Sequence, residues 1–202
     1  MSDLQPAIWD RSLLNQLFDI NGQLLETLAQ AAAARVAGGA LVSELRADWL
    51  RLTVEHRARL AACPYLFIDA GFADPGRWME VAGCAVRESV PMRRAREGGM
   101  VLAPALLRPA LMLAWHLARS NPLLARIALG MSEHCAALIA SSRLQDLEAL
   151  AEVSPSWIRV RWEDRPEIWR QLVRAAAAQG DTQLRQLQLR GLQLLAAGAR
   201  QG

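Results

Sequence analysis

Lysine is absent from this 202-residue chain: all 23 basic residues are arginine. Arginine codons are GC-rich, so a GC-rich genome accounts for the bias, with guanidinium chosen for bidentate contacts to phosphate or carboxylate as the functional alternative. Cysteine is sparse and odd in number. Cys63, Cys84 and Cys135 stand apart with no C-x-x-C, which excludes paired-cysteine zinc sites and dithiol motifs. Thiols used this way act as small core residues in a reducing cytoplasm. There is no H-E-x-x-H and no glycine-rich phosphate loop, and the first residues lack the basic-then-apolar order of a leader. Long apolar runs are interrupted. The strongest, Met100 to Ala118, holds Pro104, Arg108, Pro109 and His116, so a membrane span there would be costly and a buried helix is expected.

What is present is mostly aliphatic. Hydrophobic residues make up 52%, and tryptophan is the one abundant aromatic, with seven Trp against three Phe and one Tyr. The net charge of +3 is mild, weaker than the field of a dedicated nucleic-acid binder. It is also uneven: residues 1–100 hold 11 Arg against 12 acids, and residues 101–202 hold 12 Arg against 8.

One pattern organises the chain. Pro64, Pro75 and Trp78 recur as Pro155, Pro166 and Trp169 at an unchanged offset of 91 residues. Ser43-Glu44 is echoed by Ser132-Glu133 at an offset of 89. We read a tandem duplication: an N-terminal unit over 1–90, a charged, glycine-ended linker over 91–99, and a C-terminal unit over 100–202.

Each unit reads as helices, a brief strand, then a proline-started helix. Leucines at three-to-four spacing predict a helix over 10–36, ended by Gly38-Gly39. Ser43 and Thr53 are expected helix caps, and Tyr65 to Phe72 an extended segment, before Asp74-Pro75 launches the next helix. In the second unit helices are predicted from Pro109 to Arg119 and from Leu123 to Leu129. Ser132 caps the next, and Ser142 to Gln145 has capping-box form. Trp157 to Trp162 alternates as a strand, with Ile158, Val160 and Trp162 on one face and Arg159 and Arg161 on the other. Asp164 and Pro166 begin a helix through Trp169, and Asp181-Thr182 begins the last. The fold class is mainly α, two related helical units each with one short strand or hairpin.

Several pieces resemble the FlhD family of flagellar transcriptional regulators. Phe18-Asp19-Ile20-Asn21 is similar to the family's Asp-Ile-Asn helix, and Leu129-Gly130-Met131-Ser132-Glu133 to its Leu-Gly-x-x-Glu helix start. Leu147, Leu150-Ala151-Glu152 and Arg161-Trp162-Glu163 follow in the family's order. About a hundred residues separate the first motif from the second here, where the family has almost none. Duplication explains the gap, and one chain then acts as a built-in pseudo-dimer. The resemblance implies a non-enzymatic bacterial regulator in the cytoplasm that works by protein association, as a homodimer or with a DNA-binding partner. A helical adaptor or chaperone-type protein without DNA contact is the alternative.

The candidate contact residues for a partner protein or nucleic acid are Arg159, Arg161, Arg165, Arg170 and Arg174, the one dense basic constellation. Glu163, Asp164 and Glu167 lie in the same stretch and offer self-pairing instead. No catalytic, cofactor or metal residues are assigned, no small-molecule substrate is expected, and no membrane contact. His56 with Cys63 or Asp69 is the remaining enzymatic option, with His116, His134 and Cys135 read as packing or surface residues. Trp78 and Trp169 are expected to anchor the core. The leucine faces of 10–30 and 182–198 are open between a subunit contact and this chain's own core.

Overall fold

The computed structural model describes residues 11–35, 39–83, 104–153 and 157–199. Eleven helices and two short strands make up these residues. They are α1 (Arg11–Ala34), α2 (Gly39–Glu44), α3 (Arg46–Arg51), α4 (Val54–Ala61), β1 (Ile68–Asp69), α5 (Pro75–Gly83), α6 (Pro104–Ser120), α7 (Pro122–Leu129), α8 (Glu133–Ser141), α9 (Leu144–Val153), β2 (Arg159–Val160), α10 (Pro166–Ala177) and α11 (Thr182–Gly198). The expectation of a mainly α fold holds. The strands, however, do not serve separate units: β1 pairs antiparallel with β2, Ile68 opposite Val160 and Asp69 opposite Arg159. The linker at 91–99, together with Pro155 and Cys84, lies outside the described residues.

Two apolar helices pack side by side at the centre. α1 turns Leu17, Ile20, Leu24, Leu25 and Leu28 inward, and α6 buries Leu107, Ala110, Leu111, Leu113 and Ala114 completely. Burial removes this apolar area from water and is the main stabilising term. α1 is flanked by α3 and α4, α6 by α8 and α9, and the two central helices touch one another. Crossing over, α10 packs on α2, α3 and α4, while α5 packs on α8. α11 lies across α7 and α10. The leucine faces of α1 and α11 therefore close this chain's core, and no described helix is both long and apolar enough to cross a membrane.

The tryptophans anchor as expected, Trp49, Trp78 and Trp169 being the largest buried side chains. Trp169 meets Phe67 at 4.8 Å and Trp49 at 5.8 Å between ring centres. Several capping expectations need correction. Ser43 does not cap a helix: it sits inside α2, its hydroxyl donating to the Gly39 carbonyl at 3.0 Å. Ser142 ends α8 rather than starting α9, because its hydroxyl is taken by the Leu138 carbonyl of the preceding turn. α6 begins at Pro104, not Pro109, which stands inside it. Pro109 lies past the four free N-terminal amides, so it removes one i→i−4 hydrogen bond of the helix. Asp164 does not cap α10; Arg165 holds that position with no side-chain cap. Thr53, Asn121 and Ser132 do cap their helices, and Asp74 accepts from the Arg77 amide at 3.2 Å.

An arginine–carboxylate network as candidate functional site

The strand pair places one carboxylate between two guanidiniums. Asp69 Oδ2 accepts from Arg159 Nε at 3.0 Å and Nη2 at 2.8 Å. Asp69 Oδ1 accepts from the Gly71 and Phe72 amides at 3.1 and 3.2 Å and lies 3.8 Å from Arg161 Nη1. The two arginines share a strand face, as alternation predicts, but only Arg159 is exposed on it. Arg161 is buried, its Nε donating to the Leu66 carbonyl at 2.8 Å and its Nη2 to the Leu129 carbonyl. The strand is two residues long instead of six, since Trp162 adopts a left-handed backbone with φ of 53° and turns the chain.

Burial alone would raise the Asp69 carboxyl, but Arg161, Arg159 and the Phe72 amide outweigh it and hold it below the usual carboxylate range. Burial pulls Arg161 down from its ordinary value, opposed by Asp69. Arg159 is raised: its own burial works against the charge, and Asp69 more than offsets it. Arg77 adds a third guanidinium to this region. Its Nη2 donates to the Trp157 carbonyl at 2.7 Å and its cation lies 3.9 Å above the Trp157 ring.

The remaining candidate arginines separate. Arg170 pairs with Glu44 at 3.7 Å and Arg174 with Asp48 at 3.5 Å, tying α10 to α2 and α3. Arg170 and Arg174 thus pair with acids of the first half, while Glu163 and Asp164 act electrostatically on Arg159. Arg165 is exposed. A half-open cavity of about 280 Å³ joins Asp69, Arg159, Arg161 and Arg165 with Glu163 and Asp164. Its charges balance, and His56 is not among its lining residues.

The enzymatic candidates are structural in this geometry. His56 Nδ1 accepts from the Thr53 amide, completing a capping box at the start of α4. The Cys63 thiol is buried and accepts from Gln188 Nε2 at 3.7 Å. Its burial pushes its pKa up to about 12, far from a reactive thiolate. No group of three or more His, Cys, Asp or Glu suited to a metal occurs among the described residues.

Two residues that join the halves were not singled out from the sequence. Arg59 on α4 donates to the carbonyls of Ala176, Ala178 and Gly180 and pairs with Asp181. Arg77 is the other. A lone arginine on a helix carries no local sign of such long-range partners. Asn21, noticed only within the Asp-Ile-Asn motif, proves to be a buried staple. Its amide donates to Ala61 and Tyr65 carbonyls and its oxygen accepts from the Phe67 amide at 2.9 Å.

Fold and site together define a mainly helical protein whose polar centre is a structural arginine–carboxylate network shared by two halves of one chain. Residues 110–201, from within α6 through α11, match the family model of the flagellar transcriptional activator FlhD. The FlhD resemblance thus stands over the second half, while the Asp-Ile-Asn helix lies outside the match. No curated protein and no solved structure matches the chain.

Proposed function

We propose that this protein is a non-enzymatic transcriptional regulator of the FlhD kind, acting in the cytoplasm by association with a protein partner. The observation that carries the reading is the family match over 110–201, a region that contains the Arg161-Trp162-Glu163 run at the centre of the polar network. Deleting the gene in its host and profiling transcripts tests it. A regulator changes a defined set of messages, flagellar ones first, and the intact gene restores them. An unchanged profile overturns the reading.

DNA contact within such a complex falls to Arg165, which is exposed. The adaptor reading, without DNA contact, gains from one observation. Arg159, Arg161, Arg170 and Arg174 are all engaged by Asp69, Glu44, Asp48 or backbone carbonyls. A guanidinium that already holds the fold together has less to offer a phosphate.

A further inference from the structure

We propose that the two halves are copies of one unit, closed on each other as an intramolecular twofold pair that exchanges its proline-started helices. The first half is then a dedicated, covalently attached partner for the FlhD-like second half. This holds whether or not the chain regulates transcription, because it rests on register and packing alone.

The offset of 91 came from Pro64, Pro75 and Trp78, and the backbone obeys it independently. Adding 91 to Ile68 and Asp69 gives Arg159 and Val160. The sheet pairs Ile68 with Val160 and Asp69 with Arg159, so each position meets the copy of its neighbour. Only a register centred on the same point of both copies does this, and it is what a twofold axis imposes on an antiparallel pair. Two residues later, Gly71 has φ of 72° and its counterpart Trp162 has φ of 53°. Glycine takes that conformation freely, whereas tryptophan in it is a steric outlier. Its retention at the equivalent place is best explained by descent from one turn. The indole N–H that follows bonds the same turn in each half, one position apart: Trp78 donates to the Gly71 carbonyl at 3.0 Å, and Trp169 to the carbonyl of Arg161, the counterpart of Ala70, at 2.7 Å.

The helices agree. α1 and α6 occupy equivalent stretches and pack on one another, α1 carries α3 and α4, and α6 carries α8 and α9. The offset maps α4 onto α9 and α3 into α8. The exchange is reciprocal, α10 seating on α2, α3 and α4 and α5 seating on α8. Trp169 accordingly reaches Phe67 of the first half, and Trp78 reaches Trp157 of the second at 5.8 Å. The copies differ at the seats: Arg170 meets Glu44, but its counterpart in the first half, Met79, carries no charge. α11 has no counterpart among the described residues. These differences favour the mixed pair over either half with itself.

The test places a specific protease site between residues 91 and 99 of the full chain and cleaves the folded protein. The halves are expected to stay together as a one-to-one pair with unchanged helix content. Arg170→Glu should weaken their association by at least about tenfold by bringing like charges together, and Glu44→Arg in the other half should restore it. Trp78→Ala and Trp169→Ala should each lower the affinity, since each ring is seated in the opposite half. Halves that separate on cleavage would overturn the proposal. So would an affinity unmoved by Trp78→Ala, which would return α5 to its own half, or a charge reversal without rescue.

Discussion

Asp69 faces more positive charge than it can neutralise, with Arg159, Arg161 and Arg77 all interacting with it. Replacing it with Asn leaves Arg161 buried beside an uncharged amide, a loss of about 3–5 kcal/mol at neutral pH. The pH dependence follows from the depressed carboxyl. The stabilisation is complete above the ordinary aspartate value of about 3.9 and is lost as pH falls through the lower folded value. Urea melts of wild type and Asp69→Asn should therefore differ most near pH 7 and converge in acid. A constant gap would contradict the role assigned to Asp69. Sequence reasoning located Arg159 and Arg161 as a pair on one face. It could not tell that Arg161 turns inward while Arg159 stays exposed, because that depends on Asp69 and the Leu66 and Leu129 carbonyls, all distant in the chain. Asp69 itself was weighed only as a weak catalytic carboxylate.

Among the elements, the junction of α10 and α11 depends on a residue from neither helix. The last carbonyls of a helix lack internal partners, and Arg59 of α4 supplies donors to Ala176, Ala178 and Gly180. Arg59→Ala should cost about 1–3 kcal/mol and speed amide hydrogen exchange selectively around 176–184. Uniform exchange across the chain would show that the junction holds without it. α11 is further fixed by Gly191, where an added Cβ would collide with the Tyr65 ring. Most helices were legible from leucine spacing and from caps such as Thr53 and Ser132. Ser43 and Ser142 misled because a serine hydroxyl bonds a preceding carbonyl as readily as a following amide. The six-residue strand misled because alternation describes a surface, and Trp162 leaves that surface by turning left-handed.

For the whole molecule, one apolar core runs through both halves, and the ion pairs Arg170–Glu44, Arg174–Asp48 and Arg159–Asp69 cross between them. The order of motifs within 129–172 was enough to indicate the FlhD likeness now seen over 110–201. The use of the arginines was not legible, since their acidic partners Asp69, Glu44 and Asp48 lie in the first half of the chain. Their role in the fold is the central claim, and DNA affinity measured over a range of salt tests it most directly. Each phosphate neutralised steepens the dependence of log K on log salt by about 0.9. Wild type and the triple variant Arg159→Gln, Arg170→Gln, Arg174→Gln, compared at a temperature where both are folded, should show nearly the same affinity and slope. Arg165→Ala should lower whatever affinity exists. A triple variant that loses binding and two or three phosphates' worth of slope would show those arginines on DNA, contradicting their assignment to the fold.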